Sequence, residues 1–146
     1  MSIKLSTGLV NAMLVSGSLK SIFDAGSEIR VYAGAVPADA DAAIGGATLL
    51  VTIKNGSSGI TFEATPSGGI LEKNASETWS GTNAATGTPT FYRHVLTADD
   101  GTLSTTAPRY QGTVAVAGAD MNLTNSTLTS GATQTLPAHA VALPRA

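Results

Sequence analysis

From Ser27 onward, short runs alternate polar and apolar residues and stop at turn-forming residues; this two-residue period constrains the fold more than any other feature. In Glu28-Ile29-Arg30-Val31-Tyr32 the side chains alternate as in a strand with one face buried. Leu49-Leu50-Val51-Thr52-Ile53 is a nearly continuous apolar run of strand length, which fits a central strand. Asn55-Gly56 follows, a pair that tolerates the positive φ of a type I′ hairpin turn. Ile60-Thr61-Phe62-Glu63-Ala64 alternates again, with Ile60, Phe62 and Ala64 expected to face inward. Ile70 and Leu71 read as buried. Phe91-Tyr92-Arg93-His94-Val95-Leu96 reads as a strand closed by the Asp99-Asp100-Gly101 turn. Residues 109–116 form a further strand, Met121 and Leu123 alternate into Leu128, and residues 135–143 end the chain as an extended segment.

Seven or eight such strands predict a mainly β fold, an antiparallel β-sandwich or small barrel. With 146 residues and no linker-like stretch, residues 1–146 are expected to form a single β-rich domain. Residues 38–43 could add one helical turn.

The N-terminal part has a different period. Residues 6–25 read as helical: Ser6 or Thr7 can cap the first turn, and Leu9, Ala12, Met13 and Ser16 follow at helical spacing. Gly17 interrupts the pattern, Leu19, Ile22 and Phe23 share a face, and Gly26 supplies a stop. Residues 1–26 are thus a short helical N-terminal segment. Leu9, Met13, Leu19, Ile22 and Phe23 are too many apolar groups to leave in water, since each is worth roughly 1.5–3 kcal/mol when buried. They form the candidate assembly surface, unless the segment caps an open end of the sandwich. Lys4 followed by Leu5 to Val15 loosely imitates a signal sequence. Ser6, Thr7, Gly8 and Asn11 break it and no clean cleavage site follows, so an uncleaved, soluble protein is expected. No apolar run approaches the ~20 residues of a membrane span, and no membrane partner is expected.

Composition limits the core. Ala, Gly, Ser and Thr make up half of the chain, against one Trp, three Phe and three Tyr. Trp79, Phe62 and Phe91 are expected to share one core. A core so thin is marginal alone, and burial against neighbouring subunits would add what it lacks.

Several chemistries find no support in the residues. Eight basic residues against ten acidic give a net charge of −2, and the basic ones are scattered from Lys4 to Arg145, so no nucleic-acid partner is expected. Cysteine is absent, which removes disulfides and thiolate sites. His94 and His139 are the only histidines, too few for a metal site with three or four converging ligands. Each reads as a strand histidine with one hydrogen bond. Asp39, Asp41, Asp99, Asp100 and Asp120 lack the spacing of a calcium loop and read as turn residues. No catalytic, cofactor-binding or metal-binding residue is assigned, no cofactor is expected, and the chain reads as a non-enzyme.

Several stretches together resemble a family of small virion proteins of tailed bacteriophages and prophages. They are Ser6-Thr7-Gly8-Leu9 with Gly17-Ser18-Leu19-Lys20-Ser21, Val31-Tyr32-Ala33-Gly34-Ala35-Val36-Pro37-Ala38, and Glu77-Thr78-Trp79-Ser80-Gly81. Thr90-Phe91-Tyr92-Arg93, Arg109-Tyr110-Gln111-Gly112-Thr113-Val114, Gly118-Ala119-Asp120-Met121-Asn122-Leu123 and Ser130-Gly131-Ala132-Thr133-Gln134-Thr135-Leu136 continue the match over nearly the whole chain. The resemblance implies a structural protein made in the host cytoplasm and located in the virion. Its implied partners are copies of itself and other virion proteins, the major capsid or tail proteins. A capsid decoration (cement) role is favoured. A tail or fibre-attachment component, or a carbohydrate- or host-surface-binding β-module, is the alternative. Similar proteins tend to carry an aromatic residue after the Gln-Thr step, where Pro137-Ala138-His139 stands here, a departure that leaves the packing of the last strand open.

Overall fold

A computed structural model describes residues 3–143. Among them are two helices, α1 (Thr7–Val15) and α2 (Leu19–Asp24), and ten strands. The strands are β1 (Lys4–Leu5), β2 (Ser27–Ala33), β3 (Thr48–Asn55), β4 (Ile70–Glu72), β5 (Trp79–Thr82), β6 (Phe91–Leu96), β7 (Arg109–Ala115), β8 (Met121–Asn122), β9 (Thr133–Thr135) and β10 (Ala140–Ala142). The fold is mainly β, as expected. Eight strands form one sheet in the order β1-β7-β6-β2-β3-β5-β9, with β8 also pairing β7, and β10 and β4 form a separate two-stranded sheet. All pairs are antiparallel except β7–β8. The sheet does not close into a barrel, since β1 and β9 end it on opposite sides.

The central strands β3-β2-β6-β7 carry two different faces because their side chains alternate. One face presents Ile29 and Val31 from β2, Val51 and Ile53 from β3, Tyr92 and His94 from β6, and Tyr110 and Val114 from β7. Leu9, Leu19, Phe23, Ile60, Phe62, Trp79, Leu136 and Val141 join the same apolar cluster, so helices and the β10–β4 pair cover this face. The other face presents Glu28, Arg30, Tyr32, Phe91, Arg93, Arg109 and Gln111. Phe91 is therefore buried but lies outside the common core expected for it with Phe62 and Trp79. It stacks on Tyr32, 5.0 Å between ring centroids.

Local chemistry explains the helices. The Ser6 hydroxyl oxygen accepts from the Leu9 N–H at 3.1 Å, and an Asp41 carboxylate oxygen accepts from the Thr7 N–H at 2.8 Å. Two of the amides that a helix start leaves unpaired are thereby satisfied. Ser18 and Ser21 cap α2 reciprocally. Gly8 is required where α1 crosses residues 104–107: a Cβ there would sit 2.4 Å from the Thr106 carbonyl carbon.

Several local expectations are corrected. Residues 38–43 form bends rather than a helical turn. The hairpin turn runs from Asn55 to Ser58 with positive φ at Gly56 alone (+61°), the pattern of a II′ turn rather than I′. Ile60 and Phe62 do face inward, but Ala64 is exposed, and Phe62 makes only an isolated bridge to Lys73. Ile70 is 41% exposed and Leu71 only partly buried, because β4 lies at the molecular surface against β10.

Candidate functional site

Strands β2, β6 and β7 hold one buried polar cluster on each face. On the helix-covered face, Ser27 Oγ lies 2.7 Å from His94 Nε2, and His94 Nδ1 lies 2.7 Å from the Tyr110 hydroxyl. The same hydroxyl lies 2.9 Å from His139 Nε2. A continuous chain of hydrogen bonds thus joins Ser27, His94, Tyr110 and His139, and all four are buried. With neutral rings it can run in two directions: with Ser27 donating inward every bond is made, whereas with His139 donating inward the Ser27 proton is left without an acceptor. Aromatic rings enclose it. Phe23 stacks on His94 at 4.3 Å and meets Tyr110 edge-on at 5.3 Å. The His139 ring is 7° from parallel to Tyr110, with Trp79 at 6.0 Å and Tyr92 at 5.6 Å.

Burial sets the protonation of this chain. It pushes His139 down to about 4 and His94, with some help from His139, well below its ordinary value. It also pushes the Tyr110 hydroxyl well up. The groups are therefore neutral near pH 7. Ser27 and His94 have the spacing of a nucleophile and its base, but neither has any exposed surface for a substrate to reach.

On the opposite face, Arg30 stands across from Arg93, and Arg93 across from Gln111. Arg109 is buried and pairs with Asp99 through two bonds, Nε to Oδ2 at 2.5 Å and Nη2 to Oδ1 at 3.0 Å. Arg93 donates from Nε to Gln111 Oε1 (2.9 Å) and from Nη2 to the Asp39 carbonyl (3.1 Å). Gln111 donates to the Pro37 carbonyl at 2.8 Å. Arg30 donates to Glu28 (2.7 Å) and to the Asp99 carbonyl (2.7 Å). Burial, then neighbouring Arg109, push the Arg93 guanidinium down. Arg30 ends above its ordinary value because Glu28 outweighs its burial.

Arg93, Gln111 and Arg109 hold residues 34–47, a strap without regular structure, over the sheet face by the carbonyls of Asp39, Pro37 and Ala40. Within this arrangement Arg109 and Asp99 spend their polar atoms largely on each other. The aspartates behave as turn and capping groups: Asp39 accepts from Ala42 N–H, Asp99 from Gly101 N–H, Asp100 from Thr102 N–H and Asp120 from Thr113 N–H. Among the described residues no group of three or more His, Asp or Glu is placed to hold a metal ion.

The candidate assembly residues divide. Leu9, Leu19 and Phe23 are buried in the chain's own core, and Met13 and Ile22 are partly buried against it. The apolar face of the segment covers the sheet, in line with the capping alternative, and only a part of the segment is left outside. The apolar residues it does expose are Val10 (37%), Leu14 (79%) and Val15 (84%). Val10 and Leu14, one turn apart, form a single outward stripe with Val15 beside it. A groove of about 450 Å³ lies between the start of α2 and the β4–β10 pair, with Leu19, Lys20, Pro66, Leu71, Val141 and Leu143 among its lining.

Neither polar cluster was legible beforehand. His139 has the one hydrogen bond expected of it, but His94 has two, and both histidines belong to one network. The only signal was the polar residue at every second position of strands otherwise rich in apolar groups. Compared with known proteins, the chain matches no family model, no curated protein and no solved structure.

Proposed function

We propose that this chain is a structural, non-enzymatic subunit of a tailed-phage virion, assembling in multiple copies on the particle as a capsid decoration or cement protein. Its partners are copies of itself and other virion proteins, and its place after synthesis in the host cytoplasm is the virion. The observation that carries this reading is the outer stripe of α1, where Leu14 and Val15 stay 79% and 84% exposed in a chain with few bulky apolar residues to spare. A thin core with an uncovered apolar stripe gains stability when a neighbour covers it.

Other observations favour a structural role over chemistry or glycan binding. The two polar clusters that could do chemistry are buried and bond strands, the His139 segment and the strap to one another. All seven aromatic residues are at most 2% exposed, Trp79 and Tyr110 included, so no ring offers a stacking platform to a sugar. Arg93 and Arg109 are buried on protein partners and offer nothing to phosphate. A tail or fibre-attachment role remains the second reading, because the exposed stripe fits either location.

The test is a double variant, Leu14→Asp with Val15→Asp, supplied in place of the wild-type protein during particle assembly. The variant is expected to fold, by circular dichroism, yet to be depleted at least tenfold from purified particles. Incorporation at the wild-type level would overturn the role given to α1. Binding of the wild-type protein to isolated heads or to isolated tails distinguishes the two locations.

A further inference from the structure

We propose that His139 is an acid-sensitive latch on the C-terminal clasp, residues 137–142: when its ring takes up a proton, β10 leaves β4 while the main sheet stays folded. The clasp is held at few points. His139 and Val141 are its buried side chains, and β10 pairs with β4 through Ala140–Glu72, Val141–Leu71 and Ala142–Ile70. The His139 carbonyl accepts from the Lys73 N–H at 2.8 Å, and Pro137 has no N–H to offer. The main sheet does not depend on these bonds.

The geometry makes a proton at His139 costly. A charged ring must donate from both nitrogens. Tyr110 can accept from Nε2 only if its own proton turns to His94 Nδ1, which forces the His94 proton to Nε2, facing Ser27. The Ser27 hydroxyl makes no hydrogen bond except that to His94, so its proton is then left without an acceptor. Around the ring, β5 contributes Trp79, β6 Tyr92 and β7 Tyr110 with His94 behind it, all neutral. Glu72 and Lys73 from the β4 side and Asp120 beside β8 line the outer walls, where the displaced imidazolium meets water and carboxylates. Because burial lowers the affinity of His139 for a proton, the folded state binds fewer protons than the unfolded chain. Its stability accordingly falls as pH drops from about 6.5 towards about 4.

Trp79, the only tryptophan, reports on the latch from 6.0 Å. Its emission and the far-ultraviolet circular dichroism of the full chain are followed from about pH 7 to about pH 3.5. A change in emission is expected at higher pH than the loss of β signal, and this early step should vanish in His139→Phe, which keeps a ring but cannot charge. Coincident transitions in the wild type, or an early step that survives in His139→Phe, would overturn the proposal. Should His139→Phe fail to fold, His139→Gln takes its place with the same outcomes. Amide exchange, corrected for intrinsic rates, should quicken at Lys73, whose N–H is bonded to the His139 carbonyl, at about pH 5 before it does at Ile29 and Tyr92. Uniform quickening would contradict the latch.

Discussion

Arg30 and Arg93 stand directly opposite each other on the antiparallel strands β2 and β6, two like charges on one face of a sheet. Such a pair is destabilising unless each charge is engaged elsewhere. The two guanidiniums part ways: Arg30 turns to Glu28 and the Asp99 carbonyl, while Arg93 turns to Gln111 and the strap. Strand pairing has gathered three arginines that the sequence scatters, and the strap supplies two of them, Arg93 and Arg109, with the carbonyl acceptors of Asp39 and Ala40.

The Arg109–Asp99 pair is the most exacting part of this arrangement. Asp99→Asn retains the shape and the turn acceptor but leaves a buried guanidinium without its counter-charge. A loss of about 3–5 kcal/mol is expected by denaturant titration. Adding Arg109→Met should recover part of it, giving a non-additive double-mutant cycle. Additive losses would mean that the pair is not coupled.

Phe91 is fully buried on the strap side, stacked on Tyr32. Phe91→Ala should cost about 3–5 kcal/mol, and a loss below about 1 kcal/mol would show that the strap face is not tightly packed.

Within α1 the two sides should respond in opposite ways. Leu9→Ala removes a side chain with no exposed surface and should cost about 2–5 kcal/mol. Leu14→Ala, on the outer stripe, should stay within about 0.5 kcal/mol of wild type. Equal losses would contradict the inward and outward assignment of the helix.

Acid sensitivity should be visible in global stability too. Burial holds His139 down at about 4, against about 6.5 for an ordinary histidine, so the wild type should lose up to about 3 kcal/mol between about pH 6.5 and about pH 4 through this residue, and less once the clasp has opened and the ring charges freely. His94, shifted in the same direction, adds to the loss. Urea titrations across this range check it, and a flat profile would mean that the rings are not held neutral.

The strands that alternate over five or more residues, β2, β6 and β7, could be read from the sequence because burial of one face writes a period of two into the chain. The caps at Ser6 and Ser18 are equally local, though the sequence suggested only the first. By contrast, β1 is two residues long, and no periodicity can reveal so short an element; the alternation from Met121 to Leu128 does point to β8, but only Met121 and Asn122 of it pair. The burial of Leu9, Leu19 and Phe23 follows from the sheet they cover, which an amphipathic pattern cannot distinguish from a neighbouring subunit. The Ser27–His94–Tyr110–His139 chain and the Arg30–Arg93–Gln111 row depend on strand register. Alternation fixes which face a residue takes, not which residue stands beside it. His139 illustrates the point: where an aromatic residue was expected, its ring fills an aromatic niche among Trp79, Tyr92 and Tyr110.

The central claim is that the chain is a building part of a particle. Quantitative mass spectrometry of purified tailed-phage particles, produced from the genome that encodes it, tests this most directly. The account expects the protein in many copies per particle, in constant ratio to the major capsid protein through successive purification steps. Its absence, or a trace amount that washes away, would contradict the account.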